Sequence, residues 1–445
     1  LTITNATLTF TNWTTALQAT TITLLNNGQF RHAVCNTNAA ASNTNRIFVL
    51  CSNLTVSAGG AINASTYGFI GGKFGQTPSV GTGPGGGGSD GARGGPGSYG
   101  GQGGYAGNIP GPTYGDAALP AEPGSGAGGG NAWGGNGGGA ICVQASGDVT
   151  VDGTIAADGG NGSGDQSAGG SGGGIYISCL TIRGNGSVQA KGGILGGNCG
   201  GGGGGRISIN YNPAAQAAVS PKPPVVVSTV GGIQNCARPG IMGTLYFSDS
   251  SILAPVLPHT GELIIPGFTS WAQDSLTVSN CAVQFGTNAF LLTVPNELRL
   301  CDGGGLVLPY GSIVRCGSLA MTNNASLWVY ADVTNWPSTN ASGLIAVNSD
   351  VSLSGNSWLY PASHPMNGGA VQLQAANFWI GSGSGISADG LGYSGGGSNC
   401  QRPSAGYGPG AGGSTGGQPY NGGGAGYGGA GGVGWSGTNG LPYGT

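Results

Sequence analysis

The chain has 445 residues, 100 of them Gly, with only 6 % charged residues, 38 % hydrophobic residues and a net charge of −3. Soluble domains ordinarily carry ~7 % Gly and ~25 % charge. No Lys/Arg stripe exists to neutralise phosphates, which excludes an electrostatic nucleic-acid binder. The apolar runs are short, as in Pro223–Val227, which excludes a membrane-spanning helix.

High Gly without a collagen pattern raises disorder first. The apolar residues rule it out for most of the chain, because they fall in short alternating runs. A surface with so few charges repels its own copies weakly. The chain opens on Leu1 with no Met, which is read as a processed form or a part of a longer precursor.

From the N-terminus, Leu1-Thr-Ile-Thr-Asn-Ala-Thr-Leu8-Thr-Phe10 predicts a strand immediately. A unit then recurs: apolar–x–apolar, a turn of Gly, Asn or Ser, and a second short apolar strand. Copies begin at Ile22, Leu54, Val149, Leu180, Leu276, Leu298, Leu319, Val351 and Phe378. Within each copy the period is 2, the strand signature, and most copies are 21–32 residues apart. Such units are too small to fold alone, so they must stack. The expected fold is all-β, a parallel β-helix or solenoid. An antiparallel sandwich is the rival, but hairpins favour two-residue turns and longer strands. The two long intervals, after Leu54 and after Leu180, are expected to hold insertions.

The expected organisation is 1–66, N-terminal solenoid rungs; 67–139, a glycine-rich insert; 140–390, solenoid with a shorter glycine-rich, Pro-containing excursion; and 391–445, a C-terminal glycine-rich segment. In the first insert Gly recurs at 85, 88, 91, 94, 97, 100 and 103, and in the last segment at 428, 431, 434, 437 and 440. A period of three matches a threefold extended helix with Gly on its crowded face, so polyglycine II-type helices are expected there. Tyr99, Tyr105, Tyr114, Trp133, Tyr407, Tyr420, Tyr427 and Trp435 are placed to pack against them.

The ten cysteines have no Cys-x-x-Cys spacing, which argues against zinc and redox motifs. Disulfides are expected instead. The candidates are Cys35 with Cys51, Cys142 with Cys179 and Cys301 with Cys316, along with Cys199 and Cys236; Cys281 and Cys400 complete the set. Candidate glycosylation sequons stand at Asn5, Asn12, Asn53, Asn63, Asn161, Asn185, Asn324 and Asn340.

One set of segments carries a family resemblance. It comprises Gly137-Gly-Gly-Ala-Ile-Cys-Val, Gly172-Gly-Gly-Ile-Tyr-Ile-Ser, Gly201-Gly-Gly-Gly-Gly-Arg-Ile-Ser-Ile and Gly243-Thr-Leu-Tyr-Phe. Ile155-Ala-Ala-Asp-Gly and Ile386-Ser-Ala-Asp-Gly belong with them. Together these resemble the large secreted glycine-rich β-helix surface proteins of bacteria. By composition, the inserts resemble the polyglycine-helix bundles of phage tail-fibre adhesins. The resemblance implies architecture and an extracellular setting, and carries no catalytic motif.

The acidic residues are few. The densest set is Asp148, Asp152, Asp158 and Asp165, where a polysaccharide-cleaving site or a calcium site would need clustered carboxylates. Asp158 and Asp389 share one place in their repeats, which a turn role explains. Gly-x-Ser-x-Gly occurs around Ser89, Ser171 and Ser414, always inside glycine tracts and not on a strand–turn–helix. No catalytic residue, metal site or cofactor is assigned, with calcium the one ion considered. The leading expectation is a structural subunit of a self-assembling extracellular filament, sheath or surface layer. Copies would stack head to tail through open ends, with Leu1, Ile3, Leu8, Phe10, Tyr427 and Trp435 at the junctions. The alternative is an adhesin that binds surface glycans through exposed aromatics, and the third reading is a polysaccharide lyase or hydrolase.

Overall fold

The computed structural model describes the chain apart from residues 36–44, 74, 76–78, 106–107, 195–199, 234–238, 333–341, 396–405, 414–424, 428–429, 432–439 and 443–445. Among the described residues the fold is almost entirely β, with long parallel sheets. The one helix among the described residues, Pro213–Ala217, starts where the Asn212 side chain accepts from Ala215 N–H. Cys199, Cys236, Cys400, Asn340, Ser414, Tyr420 and Trp435 lie outside the described residues.

Two compact units form. One comprises Leu1–Phe268 and Cys281–Gly286; the other comprises Thr269–Asn280 and Thr287–Thr445. In the first unit, one parallel sheet runs through Thr2–Thr4, Leu17–Leu25, Ile47–Val56, Ala140–Ala145, Gly174–Ser178, Arg206–Asn210, Thr244–Phe247 and Gly261–Ile264 to Ala282–Phe285. The long strand Ile47–Val56 divides its pairing between Ala140–Ala145 and Val149–Val151. A second parallel sheet runs from Thr7–Phe10 through Gln29–His32, Ala61–Asn63, Thr154–Ala156 and Ser187–Gln189 to Val226–Ser228.

Register explains the core. Ile22, Leu54, Val149 and Ile182 align rung on rung, as do Phe30, Ile62, Ile155, Val188 and Val227. All of them are fully buried. Each such side chain contributes about 1.5–3 kcal/mol. The intervening residues point outward, as the strand period requires.

One expectation changes here. The copy placed at Leu180 is in register at Ile182 instead, and Leu180 is exposed. The long interval after Leu180 holds the further rungs Arg206–Asn210, Val226–Ser228, Thr244–Phe247 and Gly261–Ile264. The glycine-then-strand segments singled out in the sequence are rungs as well: Ile141, Ile175, Ile207 and Leu245 stack in register.

The second unit repeats the scheme. Gly305–Leu308, Ser326–Tyr330, Trp358–Ala362 and Gly385–Ile386 form one parallel run. Leu276–Ser279, Leu291–Cys301, Ile313–Met321, Asp350–Leu353 and Asn377–Ile380 form another. Leu276, Leu298, Leu319, Val351 and Phe378, the five repeat starts read from the sequence, fall in one register row. Asn280, Asp302 and Asn323 occupy corner positions with φ of 53°, 53° and 56°. Short polar side chains tolerate this left-handed conformation, where branched ones would be strained. The corner side chains also bond from rung to rung: Asn323 Nδ2 donates to Asp302 Oδ1 at 3.0 Å, and Asn356 Nδ2 to Asn324 Oδ1 at 2.9 Å.

The glycine tracts of the first unit are bonded in more directions than a sheet allows. Gly202 N–H donates to Gly193 O and Gly193 N–H to Gly170 O. Gly232 N–H donates to Gly202 O, Gly203 N–H to Gly97 O, and Gly101 and Gly104 N–H to Gly204 and Gly201 O. A strand has two neighbours, whereas the tract 200–205 has at least four. Only a chain without Cβ can be approached from so many sides. A methyl at Gly202 would lie 2.0 Å from Gly170 O, and one at Gly170 would lie 2.1 Å from Asn136 O. Of the period-three glycines, 85, 94, 97 and 100 are crowded in this way by backbone and 103 by the Pro96 ring, but Gly91 has φ +87° and nothing within 4 Å. The period-three row of close approaches therefore breaks at Gly88 and Gly91.

Gly202→Ala is expected to destabilise the first unit by about 2–3 kcal/mol through overpacking. Gly88→Ala, whose methyl would meet Ile109 O at 3.4 Å, should change stability by less than about 0.5 kcal/mol. Thermal unfolding of the two variants beside the parent measures the difference, and equal effects would refute the crowding.

Candidate assembly surface

The strand Asn377–Ile380 pairs with Asp350–Leu353 on one side, and no described strand pairs with its other side. Phe378 continues the row of Leu276, Leu298, Leu319 and Val351, and Ile380 continues the row of Val278, Leu300, Met321 and Leu353. Every earlier member of both rows is at most 1 % exposed, yet Phe378 is 43 % and Ile380 49 % exposed. Trp379, on the outward face, is 66 % exposed. Ile386 lies on the fully buried Leu359 and is itself exposed. The inward positions of this rung are thus exposed, next to backbone groups that no described strand pairs. Such an edge is a template for another strand. The sequence marked Phe378 only as a repeat start.

The N-terminal residues proposed for junctions are placed comparably. Ile3 pairs with Leu24 and Leu8 with Phe30; both are half-buried where their partners are fully buried. Phe10 meets Phe30 edge to face at 5.6 Å between ring centres. Leu1 and Tyr427 are exposed.

An aromatic cluster that the sequence did not single out lies on the outward face of two adjacent rungs. Trp328 and Tyr360 stack at 4.0 Å between ring centres and 17° between planes. Tyr330 and Trp358 flank them at 6.4 and 6.5 Å. A 4.0 Å separation is possible only face to face, so these rings spend faces on one another. The contact takes one face of Trp328 and one face of Tyr360. The stack joins rungs, much as cross-strand aromatic pairs stabilise sheets.

The acidic residues do not converge. Asp148 accepts from Thr181 Oγ1 at 2.7 Å and pairs with Arg183 at 3.3 Å. Asp152 accepts from Asn185 N–H. Asp158 accepts from Gln189 Nε2 and Lys191 N–H, so burial pushes its carboxyl up while those two donors hold it down. Asp165 and Asp389 are exposed. Asp158 therefore links neighbouring rungs, the turn role read from its repeat position. Among the described residues no three His, Cys, Asp or Glu side chains gather where they could hold a metal. Ser89 Oγ donates to Gly129 O, and Ser171 Oγ is buried against Ser125.

The expected disulfides are corrected. Cys51, Cys142, Cys179, Cys301 and Cys316 are free thiols. Sequence spacing suggested neighbours, but register decides otherwise. Cys142 stands beside Phe48 and Tyr176, Cys51 beside Ala19 and Ala145, and Cys316 beside Val294 and Val347. The pairs Cys35–Cys51, Cys142–Cys179 and Cys301–Cys316 therefore do not form. Burial pushes the Cys179 and Cys316 thiols up to about 12, with the Asp148 charge adding to the effect at Cys179. Of the sequons, Asn5 is exposed at a corner with φ 49°. The Asn12, Asn53, Asn63 and Asn161 side chains accept from Thr15, Asp148, Ser65 and Ile194 N–H, and Asn324 accepts from Asn356. Asn185 lies at the turn that Asp152 caps.

No family model, curated protein or solved structure matches the chain.

Alkylation without reductant should label at least these five thiols once the protein is unfolded. In the folded protein at pH 8, Cys179 and Cys316 should react more than about a hundredfold slower than a free thiol. Mass spectrometry of the labelled chain reads both, and disulfide-linked peptides between any of the three named pairs would contradict the register.

Proposed function

We propose that the chain is a structural subunit of a self-assembling extracellular filament, sheath or surface layer, in which copies stack head to tail through open β-solenoid rungs. The observation that carries this reading is the uncovered rung at Phe378 and Ile380. Its occupant is a second copy of the chain, because the edge repeats the chain's own parallel register. Strands Thr2–Thr4 and Thr7–Phe10, each paired on one side, offer the matching edge. Such a contact is heterologous and propagates unless its rotation closes a ring. Covering Phe378 alone would contribute about 2 kcal/mol.

Two further features support an assembled, non-catalytic material. A net charge of −3 over 445 residues gives little repulsion between copies. The glycine tracts, bonded to several neighbours at once, fit polyglycine II-type helices packed side by side.

Sedimentation velocity over about a hundredfold concentration range tests the reading. The parent chain should form larger species as concentration rises, and Phe378→Asp should remain a monomer with an unchanged circular dichroism spectrum. A parent chain that stays monomeric, or a Phe378→Asp variant that assembles equally well, would refute it.

A further inference from the structure

His32 sits where the first glycine insert leaves and rejoins the rungs. It follows Phe30 and Arg31 on strand Gln29–His32 and is buried. Its Nδ1 lies 2.7 Å from Ala33 O, and Ala140 N–H donates to its Nε2 at 3.3 Å. One ring nitrogen therefore donates and the other accepts, which only the neutral imidazole can do. The ring also fills the space of an absent side chain: a methyl on Gly139 would lie 1.9 Å from Nε2. Gly139 N–H in turn donates to Ala64 O at 2.7 Å, so the departing and returning chains are tied to each other beside the ring. The Tyr67 ring lies 5.8 Å away on the departing side.

We propose that His32 is an acid-operated latch: the neutral ring holds both roots of the insert, Ala64–Tyr67 and Gly139–Ala140, on the solenoid, and the imidazolium releases them. Protonation turns Nε2 into a donor aimed at the Ala140 N–H, so two donors face each other in a buried site. Burial already pushes the imidazole down to about 4, against a partial upward pull from the Ala33 bond.

The sign follows from linkage. The released state, with an ordinary imidazole near 6.5, binds more protons than the latched state. The latch is therefore at full strength above about pH 6.5, weakens as pH falls, and stops weakening below about pH 4.

The other titratable groups on the surrounding elements do not act in the same sense at this ring. Arg31 on the same strand points outward and donates to Thr9. Thr7–Phe10 and Ala61–Asn63 carry no titratable group, and Tyr67 and Cys35 border the departing chain. Cys142 lies on the returning strand, where burial pushes its thiol up. Asp158, following Thr154–Ala156, has a raised carboxyl, and such a group favours the folded form in acid. Within the insert, Glu122 accepts from Tyr99 Oη, which makes Glu122→Gln the control.

Hydrogen exchange of the full chain, corrected for intrinsic rates, tests the latch. Protection of segments 68–72 and 124–139 should fall roughly 200-fold between pH 7.5 and pH 3.5, while 47–56 stays protected. The change should reverse on neutralisation. His32→Gln should flatten this response and Glu122→Gln should keep it. If His32→Gln does not fold, Gly139→Ala supplies the second reading, since its methyl must expel the ring: the insert should then exchange quickly at pH 7.5 over intact rungs. Loss of protection in insert and rungs together, an unchanged acid response in His32→Gln, its loss in Glu122→Gln, or a protected insert in Gly139→Ala would each overturn the proposal.

Discussion

Parallel register between successive rungs is the constraint on which the rest of this molecule depends. A short strand such as Val149-Thr-Val151 cannot satisfy its own backbone or bury its own side chains. Both needs are met by the strand before and the strand after, at a fixed offset. Once Ile22, Leu54, Val149 and Ile182 lie in one row, the outward residues have no choice of position either. Corner Asn and Asp stack on corner Asn and Asp, and Trp328 stacks on Tyr360. Cysteines are placed by the same rule, which is why Cys142 meets Tyr176 and not Cys179.

Glycine serves this constraint in a second way. Where the chain leaves a rung, it must still bond its peptide groups, and it does so against several tracts at once. The approach of Gly202 to Gly170 leaves no room for a methyl. In the described tracts of the first unit, glycine is therefore a packing requirement. Acidic side chains serve the same stacking, as Asp148 and Asp158 do in bonding one rung to the next.

Much of this was legible in the sequence, because strand period and rung register leave direct marks. The row Leu276, Leu298, Leu319, Val351 and Phe378 could be read one position at a time. The errors have a common cause. Reading by apolar–x–apolar start alone took Leu180 for Ile182 and supplied no start for the rungs between Arg206 and Ile264, although 140–390 was read as solenoid with a shorter excursion. Disulfides were inferred from separation along the chain, whereas contact depends on register across it. The exposure of Phe378 and the bonding of the His32 ring were invisible, since exposure and the direction of a ring nitrogen are properties of the assembled coil.

The central claim is that the register continues from one molecule into the next. Cryo-electron microscopy of the concentrated protein tests it most directly. Filaments in which the ~4.8 Å rung spacing runs unbroken across the junction, with Phe378 covered by an inward row of the neighbouring copy, are expected. Discrete particles at every concentration, or a junction where Phe378 remains in solvent, would contradict it.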